Sequence, residues 1–170
     1  GPNHRRMERL VVVLLGRRDV VLEAAGHCAP GLVDGAKRAV AVIGARACDL
    51  AGLATQDQIF LNGAYRDPYY AARREGLFLV AVNCTRALST CFCASMETGP
   101  RARIGFDLEL TEVDDQLLIK AGSEAGRDLL SNLSLSTGSE QLSVEAATRI
   151  EACAQSQVRR LDHSRLPQAL

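Results

Sequence analysis

The chain of 170 residues has no tryptophan, and aromatic residues make up only 4% of it. A core built from it must be aliphatic, and there is little from which to make the stacked aromatic platforms that hold single-stranded nucleic acid. An excess of either charge is also missing: Lys and Arg number 20, Asp and Glu number 20, and the net charge is +0. Nucleic-acid binders usually carry a basic stripe. The pairs Arg17-Arg18, Arg73-Arg74 and Arg159-Arg160 read instead as solvated faces or ion-pair partners, so no nucleic-acid partner is expected. Lysine is nearly absent, with only Lys37 and Lys120, a bias that reads as a coding preference of the source genome. No apolar run approaches the roughly 20 residues of a membrane helix, so no membrane span is expected. The run at residues 10–15, of six residues, has the length of a strand. Neither a secretory signal nor a glycine-rich phosphate loop is found. Hydrophobic residues at 47% are too many for a chain that is mainly disordered.

Cysteine is the residue present in unusual number: Cys28, Cys48, Cys84, Cys91, Cys93 and Cys153. Without a secretory signal the expected compartment is a reducing one, the cytoplasm. There, clustered cysteines serve metals or catalysis more often than disulfides. The opening Gly1-Pro2-Asn3-His4 reads as a protease-cleavage scar with vector residues, which sets His4 aside. The natural sequence is expected to begin near Arg5 to Met7, so residues 1–6 are treated as a tag and disordered start.

The patterning predicts an α/β fold: a small mixed sheet with a βαβ unit, added β-hairpins and a C-terminal amphipathic helix. Residues 10–15 and 19–23 read as a hairpin joined by Gly16-Arg17-Arg18. Residues 39–43 form a continuous apolar run, a buried strand that ends at Gly44. Residues 47–60 read as a helix, with Leu50, Leu53 and Ala54 on one face and Ile59 close to it. Asp67 caps, and Pro68 opens, a helix that runs to Glu75 and is stopped by Gly76. Residues 77–82 form a second buried strand, reached by a right-handed crossover. Residues 83–100 are an irregular loop rich in Cys, Ser and Thr. Residues 104–110 alternate, with Ile104, Phe106, Leu108 and Leu110 on one face. After a turn at Asp114-Asp115 the chain returns over 117–121. A short helix over 123–133, a polar linker over 134–139 and an amphipathic helix over 143–161 follow. In the last, Val144, Ala147, Ile150, Ala154, Val158 and Leu161 fall at helical period.

Four thiols fall where this fold would bind a ligand. Cys48 follows the first buried strand and opens a helix, where the dipole lowers a thiol pKa. Cys84 follows the second. If the two strands are parallel neighbours, both cysteines lie at the carboxyl edge of one sheet, the edge where open α/β sheets bind ligands. Cys91-Phe92-Cys93 folds back from the adjoining loop. A four-thiolate site suits zinc or an iron–sulfur cluster. Two separated singles and a Cys-x-Cys match neither the paired spacing of zinc sites nor ferredoxin spacing. Arg46 and the amides around Asn83 to Thr85 are candidates for hydrogen bonds to whatever the thiols hold. Cys28 and Cys153 read as buried structural cysteines. His27, His163, Asp49, Asp57, Asp67 and Glu75 form no catalytic pair, and no catalytic residue is assigned. The Tyr- and Arg-rich residues 67–75 read equally as a docking surface or as a helix that caps and packs.

Several motifs in order carry a family resemblance. They are Gly44-Ala45-Arg46-Ala47-Cys48-Asp49-Leu50, Asp67-Pro68-Tyr69-Tyr70 with Arg73-Arg74-Glu75, Val82-Asn83-Cys84-Thr85, Thr90-Cys91-Phe92-Cys93 with Gly99-Pro100, and Gly105-Phe106-Asp107. Over residues 40–126 the chain resembles the β subunits of sulfhydrogenase-type nickel–iron hydrogenases and their counterpart in anaerobic sulfite reductase, in a family of 4Fe-4S dicluster proteins. The resemblance implies a subunit that passes electrons between a flavin-bearing partner and a catalytic one, and that is not catalytic alone. The family's recognised clusters lie in a ferredoxin-like segment that follows this region and is absent from this sequence. Residues 7–133 are thus expected to form an α/β Cys-containing domain. Residues 134–170 are expected to form a linker and helix leading towards that segment. The motif match, added to the placement of the thiols, assigns an additional [4Fe-4S] cluster to Cys48, Cys84, Cys91 and Cys93, with Arg46, Asn83 and Thr85 around it. The alternatives are a structural or assembly domain with a zinc or empty thiol site, and a thiol-redox sensor using Cys91 and Cys93.

Overall fold

The computed structural model describes residues 11–14 and 40–162. The expected strand over 19–23, and with it the first hairpin, lies outside the described residues, as do His27, Cys28 and His163. The fold is α/β. Strands β1 (Val11–Leu14), β2 (Val40–Ala45), β3 (Leu77–Val82), β4 (Leu108–Val113) and β5 (Gln116–Ala121) form one mixed sheet in chain order. The first four are parallel and β5 is antiparallel to β4. Between β2 and β3 run helices α1 (Ala47–Phe60) and α2 (Pro68–Glu75), which makes the expected βαβ unit.

β2 does not stop at Gly44, as its apolar run suggests. It bulges there and continues to Ala45, with the register against β3 shifting between Ile43 and Ala45. Gly44 has φ 95, a conformation glycine adopts without a β-carbon clash. A bulge bends its strand, and this one redirects the chain as it leaves the sheet towards Cys48.

Local chemistry explains the helices that follow. The Arg46 N–H donates to Asp49 Oδ2 at 2.8 Å, which satisfies a donor at the start of α1. Asp67 Oδ1 accepts from the N–H groups of Tyr69 and Tyr70 at 2.8 and 2.9 Å, as a cap should. Asp57 on α1 accepts from the Tyr70 hydroxyl at 2.7 Å and from Arg74 Nε at 3.1 Å, and the Phe60 and Tyr70 rings lie 5.1 Å apart. Tyr70 and Arg74 therefore pack α2 on α1, while Tyr65 and Tyr69 are exposed.

The hairpin β4–β5 turns at Asp114, whose φ is 51. It begins four residues later than the alternation suggests. Ile104 is 79% exposed and outside the strand. Gly105 at φ 82 breaks the extended run, and Asp107 then joins the chain to β3. Its N–H donates to the Leu79 carbonyl at 2.8 Å, its Oδ2 accepts from the Leu79 N–H at 2.7 Å, and its Oδ1 accepts from the Ser123 hydroxyl at 2.6 Å. Ser123 in turn caps α3 (Glu124–Ser131) by accepting from the Gly126 N–H.

The last helix, α4 (Glu140–Gln155), starts about one turn earlier and ends nearly two turns earlier than its periodicity suggests. Ser139 sets the start by accepting from the Leu142 N–H at 3.1 Å. Val144, Val158 and Leu161 are exposed, and the last two lie beyond the helix. The buried stripe is Ala146, Ile150 and Cys153.

The core is aliphatic, as the lack of aromatics requires. Ala45, Ala47, Leu50, Leu79, Ala81 and Ala102 pack together between the sheet and α1, and Val113, Leu118 and Ala146 pack between the hairpin and α4. Among the described residues no helix is long and apolar enough to cross a membrane.

Candidate metal centre

β2 and β3 are parallel neighbours, so the residues after each emerge at one carboxyl edge. Cys48 lies in the first turn of α1 and Cys84 lies two residues past β3. A clamp at the base of the loop closes the site. The Cys84 N–H donates to the Pro100 carbonyl at 3.2 Å, and Asn83 Oδ1 accepts from the Ala102 N–H at 2.8 Å. The chain between them must loop out and return, and Cys91 and Cys93 ride on it. Thr98 N–H to the Cys93 carbonyl, at 3.0 Å, folds this segment onto itself. A β-carbon added at Gly99 would meet Cys93 Sγ at 3.0 Å and Ala47 Cβ at 3.2 Å, so Gly99 is where the cysteine loop touches the first turn of α1.

The thiols lie within electrostatic reach of one another. Cys48 is exposed at the surface, yet partial desolvation of its thiol by the neighbouring loop pushes it up, and Asp49, Cys93 and Cys84 add to that, while the backbone hydrogen bond at the helix start opposes them. A helix start is expected to lower this pKa, and the shift runs the other way. Burial also raises Cys84; the Arg46 guanidinium opposes this, and Cys93 and Cys91 add to it. Three of these sulfurs each receive an N–H group. Arg46 Nη1 lies 3.8 Å from Cys84 Sγ, the Leu88 N–H lies 3.3 Å from Cys91 Sγ, and Gln157 Nε2 lies 3.2 Å from Cys93 Sγ.

Arg46 therefore reaches a thiol directly. Asn83 is buried, and its amide is committed elsewhere: Nδ2 donates to Glu109 Oε2 at 3.1 Å and to Thr111 Oγ1 at 2.8 Å. It holds the loop that carries Cys84. Thr85 follows Cys84, half-buried.

The sequence pattern does not place two further residues at the site. Cys153 is 2% exposed, and its thiol is pushed up to about 11 by burial, with Cys84, Cys93 and Cys91 adding to the shift. It is a fifth thiol, beside Cys84, Cys91 and Cys93. Gln157 is also buried, and it accepts from the Ala94 N–H at 3.0 Å while its amide nitrogen meets Cys93. One signal could have found them: Ala146, Ile150, Cys153 and Gln157 are spaced along one helical face, whereas Val158 is off it.

Among the described residues, no three His, Cys, Asp or Glu side chains are close enough to grip a single metal ion. Tetrahedral zinc, with Zn–S of about 2.3 Å, needs thiolates nearly in contact. A polynuclear cluster places each thiolate on a different iron and leaves the sulfurs spread. The donor set, all thiol and supplied with N–H groups, fits such a cluster.

The chain is 36% identical over 98 residues to sulfhydrogenase 2 subunit beta of Pyrococcus furiosus. It is related in sequence to a hydrogenase β subunit. The matched segment is 58% of this chain and 28% of that protein, so the chain spans under a third of the relative's length. No family model and no solved structure matches the chain.

Proposed function

We propose that this chain is an electron-transfer domain of a redox complex and that Cys48, Cys84, Cys91 and Cys93 hold a [4Fe-4S] cluster. The observation that carries the reading is the gathering of four thiols from separate segments at one sheet edge, with an N–H aimed at three of the sulfurs. A packed core has no need to supply donors to neutral thiols, whereas hydrogen bonds to cluster sulfurs help set reduction potentials. The sequence relation to a hydrogenase β subunit supports the same role.

When bound, a [4Fe-4S] cluster supplies one-electron transfer. The protein does the rest. The four cysteines give up their protons to bind, and the Arg46 guanidinium beside Cys84 favours the thiolate that results. Asn83, through Glu109, Thr111 and Ala102, keeps the loop closed. Thr85 and the neighbouring amides lie beside the site. This reading gives the chain two partners, one flavin-bearing and one catalytic, as in the 4Fe-4S dicluster family that also has a member in anaerobic sulfite reductase. The setting is cytoplasmic. This domain turns over no substrate by itself.

Iron and acid-labile sulfide on anaerobically reconstituted protein test the reading. About four of each per chain are expected, lost in Cys48→Ser and in Cys91→Ser. Cys153→Ala is expected to keep them, because the proposed ligand set leaves that thiol out. Stoichiometric zinc in place of iron, or iron unaffected by both serine variants, would sink the proposal.

A further inference from the structure

Among the described residues, Gln157 is the one side chain outside the cysteine loop and the β2–α1 junction that hydrogen-bonds a sulfur of the site. It lies just past the end of α4, 64 positions along the chain from Cys93. Its amide has only one workable orientation. Oε1 accepts from the Ala94 N–H at 3.0 Å, so the NH2 group must face Cys93 Sγ, which it meets at 3.2 Å. A neutral Cys93 thiol also has Gln157 Oε1 within 3.7 Å as an acceptor, but a ligating thiolate has no proton to give and only accepts. The side chain is 6% exposed, so water does not compete for the bond. Four residues on, the Leu161 N–H donates to Ser95 Oγ at 3.0 Å, so the segment after α4 is fastened across the same loop at a second point.

We propose that Gln157 is a positioning residue that raises the reduction potential of the site by donating Nε2–H to Cys93 Sγ. This rests on the reading that Cys93 is a cluster ligand. One-electron reduction adds a negative charge shared with the ligand sulfurs and makes or breaks no bond; the electron comes from a reductant such as dithionite in the test below. A donor held on the sulfur stabilises that added charge more than it stabilises the oxidised state. A donor in a buried site also acts at full strength.

The test is the midpoint potential of the reconstituted chain, followed by the electron paramagnetic resonance of the reduced form. Gln157→Leu is expected to lower the potential by a shift equivalent to about a tenfold change in the oxidised-to-reduced ratio, about 59 mV for one electron. Gln157→Glu keeps the acceptor for Ala94 and replaces the donor with a carboxylate oxygen, and its potential is expected to fall further. In the unsubstituted protein, 15N-glutamine labelling is expected to show a nitrogen coupling to the reduced spin, which reads the contact even if a variant fails to load iron. Wild-type protein that binds no iron overturns both this assignment and the reading beneath it. Protein that loads iron, but shows no nitrogen coupling or keeps its potential in a loaded Gln157→Leu, overturns this assignment alone.

Discussion

Gly99→Val is expected to empty the site while leaving the sheet folded, with iron per chain falling from about four to near zero. A β-carbon at position 99 already stands 3.0 Å from Cys93 Sγ, 3.2 Å from Ala47 Cβ and 3.3 Å from Cys93 Cβ. Those contacts are tight for alanine, and valine adds two methyl groups with nowhere to go. Cys93 is the group that must give, because Ala47, the first residue of α1, is fixed in the core. Iron and sulfide analysis, with far-ultraviolet circular dichroism as the control for folding, reads the result. Gly99→Ala should lose only part of the iron. A Gly99→Val protein carrying a full complement would show that the contact between the cysteine loop and α1 is not needed to assemble the site.

The largest loss of stability is expected from Asp107→Ala. Its carboxylate receives the Leu79 N–H and the Ser123 hydroxyl, and Leu79 lies in the core. Hydrogen bonds to a charged acceptor contribute about 1.5–3 kcal/mol each, and a buried N–H left unpaired is costly. The expected destabilisation is on the order of 3 kcal/mol, or a fall of roughly 10 °C in Tm for a domain of this size. Asp107→Asn keeps an oxygen for the Leu79 N–H, so about half the loss is expected. Thermal unfolding of the three proteins side by side decides it. An Asp107→Ala protein that melts with the wild type would mean that the junction of β3, β4 and α3 is held by packing instead.

Much of the fold is readable because its signals are local. The bounds of α1, α2 and β3 follow from residues inside or next to each element: the Asp67-Pro68 cap, the stop at Gly76, the apolar run of 77–82. The misplaced ends have one cause in common, which is that hydrogen bonds set them and apolar period does not register those. β4 begins at Leu108 because Asp107 bonds across to Leu79 and Gly105 turns the chain before it. α4 begins at Glu140 because Ser139 caps it. Its apolar spacing follows Val144, Val158 and Leu161, which the fold leaves exposed.

The thiols divide in the same way. That Cys48 and Cys84 each follow a buried strand is written in the order of the residues, and parallel pairing of those strands puts both at one edge. The sequence by itself thus determined the α/β class, the βαβ unit and the sheet edge that Cys48 and Cys84 share. Tertiary structure alone decided what surrounds the thiols. Asn83 spends its amide on clamping the loop, partial desolvation and the neighbouring Asp49 and thiols push Cys48 opposite to the direction expected at a helix start, and Cys153 and Gln157 arrive from the far end of the chain. Local order fixes which edge a residue leaves from, because strand direction is a backbone property. Contacts between segments 64 positions apart depend on how α4 packs over the hairpin, and no pattern within either segment encodes that.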